Sequence, residues 1–253
     1  MNVQPRPSLL PQIARLFAAN ARLYCMSALV AGLLGIASLT LVSMLMVRGA
    51  GEGNLDPRAI WQSMAGSHQI SAFLGMLLAV WTPILLAARG VCRITADQLS
   101  GRPLSLAAVL ADMARFIPAA LAYSFIIGLP TVIGATILFV PGMAIASLFV
   151  LVIPAGANES LGFLAALGRG FSLGNRVFVK NLLITIASWA LVGLVVLMRI
   201  ALFDRFLPGT RSSVFALRFA LTYFPALLVL VLANIAYTLI YSEARAADAG
   251  PSR

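Results

Sequence analysis

The ionisable side chains that could do chemistry are few and lie far apart in the sequence. The chain has eight acids and one histidine, His68, among 253 residues. Metal-dependent hydrolysis needs His, Asp and Glu side chains gathered in one dry, shaped site, and no HExxH, GxSxG or P-loop motif is present. We therefore expect no catalytic residue, no metal and no cofactor, and we predict that the chain is not an enzyme.

Four charged residues near the ends of apolar runs are candidates for ordered ion pairs. Glu159 follows the fourth apolar run, Arg169 lies in the segment after it, and Glu243 and Arg245 close the last run. Two interpretations of Glu159 are open. The first, which we favour, is an acid at the start of a helix, where the helix dipole stabilises it. The second is an ion pair with Arg169 that orders the surface segment against the membrane helices.

Basic residues dominate the charge balance. Lys and Arg total 18 against eight acids, which gives a net charge of +10. Such an excess is compatible with nucleic-acid binding, but the bases are spread between apolar runs, as expected of bases that flank membrane spans and face anionic lipid. We expect anionic phospholipid as a partner and no nucleic acid. The candidate headgroup contacts are Arg89, Arg93, Arg115, Arg169, Arg176 and Lys180.

Long apolar runs must position these side chains, and they indicate an integral membrane protein. Hydrophobic residues make up 61% of the chain and charged residues 10%, whereas a soluble domain carries about 25% charged residues. A helix needs about 20 residues to cross the hydrocarbon core. The six predicted spans are 24–47, 70–88, 116–140, 143–157, 182–202 and 215–241. The short run 143–157 either crosses the bilayer, which we favour, or is re-entrant.

The segments outside the runs complete an all-α, six-span helical bundle with interfacial amphipathic helices. Residues 1–22 carry apolar side chains on one helical face, which predicts a segment lying along the membrane surface. Ser105 is typical of a helix N-cap before a second segment with helical apolar spacing. The membrane domain covers 23–245, and 246–253 form a polar tail.

The distribution of bases predicts the orientation. An even number of spans puts both termini on one side, and twelve of the 18 Lys and Arg residues fall on that side. The other six are Arg48, Arg58, Arg199, Arg205, Arg211 and Arg218. Because cytoplasmic loops carry the excess of bases, we predict cytoplasmic termini in a multi-pass protein.

Pro141 and Gly142 separate the third and fourth apolar runs. Proline fixes φ near −65° and glycine accepts positive φ, so the two residues together can reverse the chain. We predict that spans three and four form a tight hairpin around this structural turn.

One polar side chain, Asn234, interrupts the last apolar run. An amide in a membrane helix most often binds a neighbouring helix, and the other interpretation is contact with a substrate. In the second case Asn234 would line a polar cavity together with Thr131, Thr136 and Ser188.

The order of these signals resembles a known membrane family. Val140-Pro141-Gly142, then Pro154, Glu159 and the sequence AALGRGFSL, are similar to the membrane domain found with glycerophosphoryl diester phosphodiesterases and to the related YciC-like bacterial inner-membrane proteins. The ending Tyr241-Ser242-Glu243-Ala244-Arg245 resembles the family's closing Tyr-x-acid-Leu-Arg, with Ala for Leu. The resemblance covers about 89–245 and implies a six-span bundle in the bacterial inner membrane. The soluble phosphodiesterase domain has no counterpart here, so the resemblance does not imply that activity.

Two functions are compatible with these signals. The first is a non-catalytic membrane protein that interacts with lipids or with a membrane-protein partner, including a second copy of itself. The alternative is a transporter or permease component for a neutral or lipid-like substrate. A central polar cavity would favour the transporter, and a closed apolar bundle would favour the first function.

Overall fold

The computed structural model describes residues 8–50, 66–137, 139–203 and 212–248, and this part of the chain is helical without a strand. Its helices are α1 (Leu9–Ala50), α2 (Gly66–Leu99), α3 (Leu106–Tyr123), α4 (Leu129–Ile137), α5 (Phe139–Phe149), α6 (Val152–Glu159), α7 (Phe163–Arg176), α8 (Phe178–Phe203) and α9 (Ser212–Asp248). A π-helical turn, Ser124–Gly128, joins α3 to α4. The predicted all-α class is confirmed.

Within the described residues, six helical stretches are long and apolar enough to cross a membrane. They are Leu9–Val42, Gln69–Leu99, Leu106–Gly134, Phe139–Glu159, Phe178–Ala201 and Thr222–Asp248. The shortest has 21 residues, and at a rise of about 1.5 Å per residue it extends about 30 Å, the thickness of the hydrocarbon core. The chain is therefore a multi-pass membrane protein of the helical-bundle type.

The N-terminal segment is set off from the first span by a break in α1. Asn20 has non-helical backbone angles, with φ −138° and ψ 32°, so the helix before it follows a different direction from the span after it. The amide of Gln98, at the end of α2, donates to the carbonyl of Leu16 at 3.4 Å. Residues 9–19 thus pack against the end of α2, while 1–7 lie outside the described residues.

The third span begins at the predicted cap and contains an irregular turn. The Ser105 hydroxyl accepts from the backbone N–H of Ala108 at 3.1 Å, so the predicted N-cap is confirmed. In the π-helical turn, the N–H of Leu129 donates to the carbonyl of Ser124, five residues earlier. In an α-helix it would donate to the carbonyl four residues earlier. Pro130, which follows at once, lacks an N–H and its ring crowds the preceding turn, and a π-helical turn relieves that clash.

The prediction of a tight turn at Pro141 and Gly142 is wrong. Helix α4 ends at Ile137 and α5 begins at Phe139, so both residues lie within the first turns of α5, and Gly142 has no positive φ. Proline is tolerated in a first helical turn, where its missing N–H has no partner to lose. A Cβ on Gly134 would lie 2.9 Å from the backbone N of Gly142, so these glycines instead allow α4 and α5 to pack closely.

The fourth span is longer than predicted. It covers Phe139–Glu159 instead of 143–157, and it is interrupted at Val150 and Leu151 between α5 and α6. Pro154 explains the interruption, because it cannot donate to the carbonyl of Val150, four residues before it. All seven residues from 151 to 157 are buried, so α6 lies at the centre of the packing.

Ends of seven helices meet at one end of the bundle, which we call the charged end. Residues 9–22, 89–115, 159–180 and 241–248 lie there, and they include all five acids of the described part of the chain. Bonds between the helix ends hold it together: Arg89 binds Asp112, and the Tyr241 hydroxyl donates to Glu159. The predicted polar tail starts three residues too early, because α9 continues to Asp248.

Candidate functional site

A cavity of about 210 Å³ opens at the charged end between α2, α3, α6 and α7. Its polar lining consists of Arg89, Asp112, Arg115 and Tyr123, and its apolar walls include Phe116, Val152 and Phe163. We call it the Arg89 cavity. It combines charged donors with apolar walls, the composition expected of a pocket that orients a small amphipathic ligand.

Arg89 is fixed in the cavity wall by a two-bond ion pair with Asp112. Its Nε donates to Oδ2 at 2.6 Å and its Nη2 to Oδ1 at 3.0 Å, the fork geometry that makes arginine–carboxylate pairs strong. The guanidinium carbon lies 5.2 Å from the centre of the Phe116 ring, within cation–π distance. Only 12% of the Arg89 side chain is exposed. This predicted headgroup contact is therefore turned inward and largely neutralised.

Gly156 of α6 leaves the space that the Arg89 guanidinium occupies. A Cβ at this position would lie 3.1 Å from Nη1, tighter than an ordinary contact. Because Nε and Nη2 are engaged by Asp112, Nη1 is the donor group of Arg89 that a ligand in the cavity could use.

Tyr123 and Phe163 form the join between α3 and the start of α7. The Tyr123 hydroxyl donates to the Phe163 carbonyl at 2.9 Å, and the two ring centres are 4.5 Å apart. This contact ties α3 to the first turn of α7 and keeps the aromatic wall of the cavity in place.

A second group of charges, which we call the C-terminal clasp, consists of Glu159, Arg169, Arg176, Tyr241, Arg245 and Asp248. Glu159 Oε1 lies 3.2 Å from Arg245 Nε and 3.7 Å from Arg169 Nε, and it accepts the Tyr241 hydroxyl. Asp248 accepts from Arg169 at 2.7 Å and also from Arg176. The clasp ties α6, α7 and α9 to one another.

The structure decides between the two interpretations of Glu159. It is the last residue of α6, and the chain leaves the helix at Ser160 with a φ of 52°. The helix-start interpretation is therefore wrong, since a carboxylate at a helix C-terminus is disfavoured by the dipole. Arg169 and Arg245 offset that cost, which is the arrangement of the second interpretation.

The hydrogen bond to Asp248 raises the pKa of the Arg169 guanidinium above its ordinary value, and the nearby Glu159 charge adds to the increase. Arg169 is therefore charged at physiological pH. Glu243, grouped with these residues in the sequence, pairs instead with Lys180 at 3.8 Å.

Five of the six predicted headgroup contacts have an acid within ion-pair distance. Besides Arg89, Arg169, Arg176 and Lys180, Arg93 binds Asp97 at 2.8 Å. Arg115 is the exception: it is exposed, it lines the Arg89 cavity, and it takes part in no ion pair of the described residues. Its charge is available to a ligand.

Asn234 and two of its three proposed companions form hydrogen bonds within their own helices. The Asn234 amide donates to the Leu230 carbonyl at 2.7 Å, Ser188 to Ile184 at 2.7 Å, and Thr136 to Ile133 at 2.8 Å. Thr131 is buried, and its hydroxyl has no hydrogen-bond partner among the described residues. None of the four lines the Arg89 cavity.

Sequence reasoning missed Asp112, Tyr123, Tyr241 and Asp248 as members of these sites. Asp112 carried the one usable signal, an acid in a helix with a continuous apolar face, on which Asp112 itself does not lie. Nothing in the sequence pairs it with Arg89, 23 residues earlier. Among the described residues, no three His, Cys, Asp or Glu side chains are grouped as metal ligands would be.

Comparisons of the chain with protein-family models, with curated proteins and with solved structures found no match. The fold and the charged end define the class as an all-α, multi-pass membrane protein. The resemblance to the YciC-like family stays a prediction from the sequence.

Proposed function

We propose that the chain is a non-catalytic protein of the bacterial inner membrane whose charged end, on the cytoplasmic side, binds anionic phospholipid headgroups. The observation that carries this proposal is α7, an amphipathic helix lying across the charged end. It exposes 75% of Leu164 and 44% of Phe171, and it leads to the exposed bases Arg176 and Lys180. Apolar and basic side chains side by side are typical of a helix at the lipid headgroup boundary.

Close packing holds α7 in this position. Ala166, Gly170, Leu173 and Gly174 form its buried face, and a Cβ on Gly170 would lie only 2.5 Å from the Cα of Val152 in α6. Small residues spaced by four allow two helix backbones to approach in this way. Because one face is fixed against α6, the opposite face must meet whatever surrounds the charged end.

The exposed bases supply the preference for negative charge. Arg176 is 61% exposed and Lys180 66% exposed, and exposed ion pairs such as theirs contribute only about 0–1 kcal/mol, so the acids do not prevent lipid contact. Each base near an anionic leaflet contributes about 1 kcal/mol. Two of them give about 2 kcal/mol, which is roughly a 30-fold preference.

The non-catalytic part of the proposal rests on how the acids are used. Asp97, Asp112, Glu159, Glu243 and Asp248 each have a base within ion-pair distance. In such a pair the carboxylate oxygens are occupied by the neighbouring base, whereas a general base needs an oxygen within reach of the substrate's proton.

Lipid retention tests the binding. The protein is extracted from bilayers of phosphatidylglycerol and phosphatidylcholine, and the retained lipids are measured. Arg176→Gln combined with Lys180→Gln should lower the retained phosphatidylglycerol. Arg58→Gln combined with Arg205→Gln removes the same charge from loops predicted on the other side, and it should have no effect. Equal losses in both double variants would contradict binding at the charged end.

Incubation with glycerophosphodiesters tests the non-catalytic part. We expect no release of glycerol phosphate at any divalent metal concentration. Metal-dependent release that survives repurification would show that the chain is an enzyme.

A further inference from the structure

We infer that the Arg89 cavity is a saturable site for one phosphodiester headgroup of a glycerophospholipid, with Arg115 as the main phosphate ligand at its mouth. The inference rests on the proposed function in one respect, that the charged end faces anionic lipid. It goes further because it assigns a single site with a stoichiometry, and not only a surface that attracts negative charge.

The size of the cavity limits what it can hold. Its volume of about 210 Å³ is below the range of about 300–1,000 Å³ of pockets for drug-sized ligands. A whole phospholipid cannot enter, whereas a phosphate with its glycerol can. The acyl chains would stay outside, in the membrane. The apolar walls Phe116, Phe163 and Leu161 suit the carbon skeleton of the glycerol.

The charge of the lining matches one phosphodiester. Arg89 and Arg115 bring two positive charges and Asp112 one negative charge, so a single positive charge is left over. A phosphodiester carries one negative charge. The phosphatidylcholine headgroup adds a positively charged ammonium group, which Arg115 and Arg89 would repel. The cavity should therefore bind phosphatidylcholine more weakly than phosphatidylglycerol.

The donors are already oriented. Asp112 and Phe116 fix the Arg89 guanidinium and leave Nη1 at the cavity wall beside Gly156. Arg115 provides a planar fork that takes part in no ion pair of the described residues, since Asp112 is paired with Arg89. Such a fork binds two phosphate oxygens at once. Arg89 thus acts as a fixed positioning donor, and Arg115 as the ligand whose charge the phosphate neutralises.

Titration of the detergent-solubilised protein with short-chain phosphatidylglycerol tests the site, with native mass spectrometry as the readout. We expect one lipid bound per chain with saturation, and weaker binding of phosphatidylcholine with the same chains. Arg115→Gln should weaken phosphatidylglycerol binding at least about tenfold, because a charge-assisted hydrogen bond is lost. Arg115 is exposed, so this variant should keep the thermal stability of the parent protein.

Arg102→Gln is the matched control. Arg102 is an exposed base at the same end, outside the cavity, whose nearest acid lies 3.9 Å away, so its loss should leave the one-to-one complex intact. Arg115→Lys keeps the charge without the fork and should give intermediate affinity.

Inorganic phosphate and glycerol 3-phosphate are the competing probes. One of these probes could displace the lipid at equal concentration, with Arg115→Gln abolishing the displacement. The natural ligand would then be a soluble phosphate compound, and the proposed phospholipid ligand would be refuted. Equal weakening by Arg115→Gln and Arg102→Gln, or binding without saturation, would overturn the site. In that case the retention of phosphatidylglycerol could still depend on Arg176 and Lys180. The proposed function would then stand although the site is refuted, so the two failures are distinguishable.

Discussion

Replacing Gly170 by alanine should loosen α7 from α6, and the structure gives the size of the effect. The added Cβ would lie 2.5 Å from Val152 Cα and 2.6 Å from Val152 N, whereas carbon atoms pack at about 3.5–4.0 Å. The obstacle is backbone, so the two helices must separate by about 1 Å. Overpacking of this kind costs about 1–3 kcal/mol.

Gly168→Ala provides the matched control for this prediction. It lies on the same helix with nothing within 4 Å of its added Cβ. Both substitutions gain about 1 kcal/mol of helix propensity, so the difference between the two variants isolates the collision with Val152. At about 2–4 °C per kcal/mol for a chain of this size, Gly170→Ala should melt about 2–12 °C below Gly168→Ala.

Thermal unfolding in one detergent, followed by tryptophan fluorescence and by circular dichroism, measures this difference. Gly168→Ala should melt at or slightly above the unsubstituted protein. Equal melting temperatures for the two variants would refute direct packing of α7 on α6, and with it the argument that α7 is held rigidly at the charged end.

Three further predictions concern the pairs, the clasp and the orientation. Arg89→Met should lower the melting temperature because the Asp112 carboxylate loses its partner. The double variant Arg89→Met with Asp112→Leu should recover part of this loss. Equal melting temperatures for the single and double variants would show that the two residues are not coupled. Asp248→Asn removes the carboxylate that binds both arginines of α7, so amide hydrogen exchange in α7 should become faster. An unchanged exchange rate would show that the C-terminal clasp does not stabilise this helix. Reporter fusions after Gly101 and Gly209 should give cytoplasmic and external signals respectively, and an external signal at Gly101 would contradict the proposed orientation.

Composition was sufficient to predict the class and the number of spans, because lipid requires long apolar helices with satisfied backbones. The break points were harder to predict from single residues. Pro141 is equally typical of a turn and of a first helical turn, and the structure has the second. Pro154 lies inside the predicted fourth span and interrupts it four residues earlier, at Val150, where the carbonyl loses its donor.

The candidate sites were predictable in part. The bases were found because charges between apolar runs are conspicuous, and the association of Glu159 with Arg169 was among the interpretations considered. The acids that complete the sites were not found, since their partners are distant in sequence: Asp248 lies 79 residues from Arg169. Asp248 also belongs to the segment predicted as a polar tail, and only the continuation of α9 brings it to α7.

The measurement that tests the central claim most directly is the lipid composition around the purified protein at two salt concentrations. The protein is taken from bilayers with equal amounts of phosphatidylglycerol and phosphatidylcholine, and the ratio of the retained lipids is determined. We predict phosphatidylglycerol in excess at low salt and a smaller excess at high salt, because the screening length falls from about 10 Å at 0.1 M to about 3 Å at 1 M. A ratio equal to that of the bilayer at both salt concentrations would contradict the account.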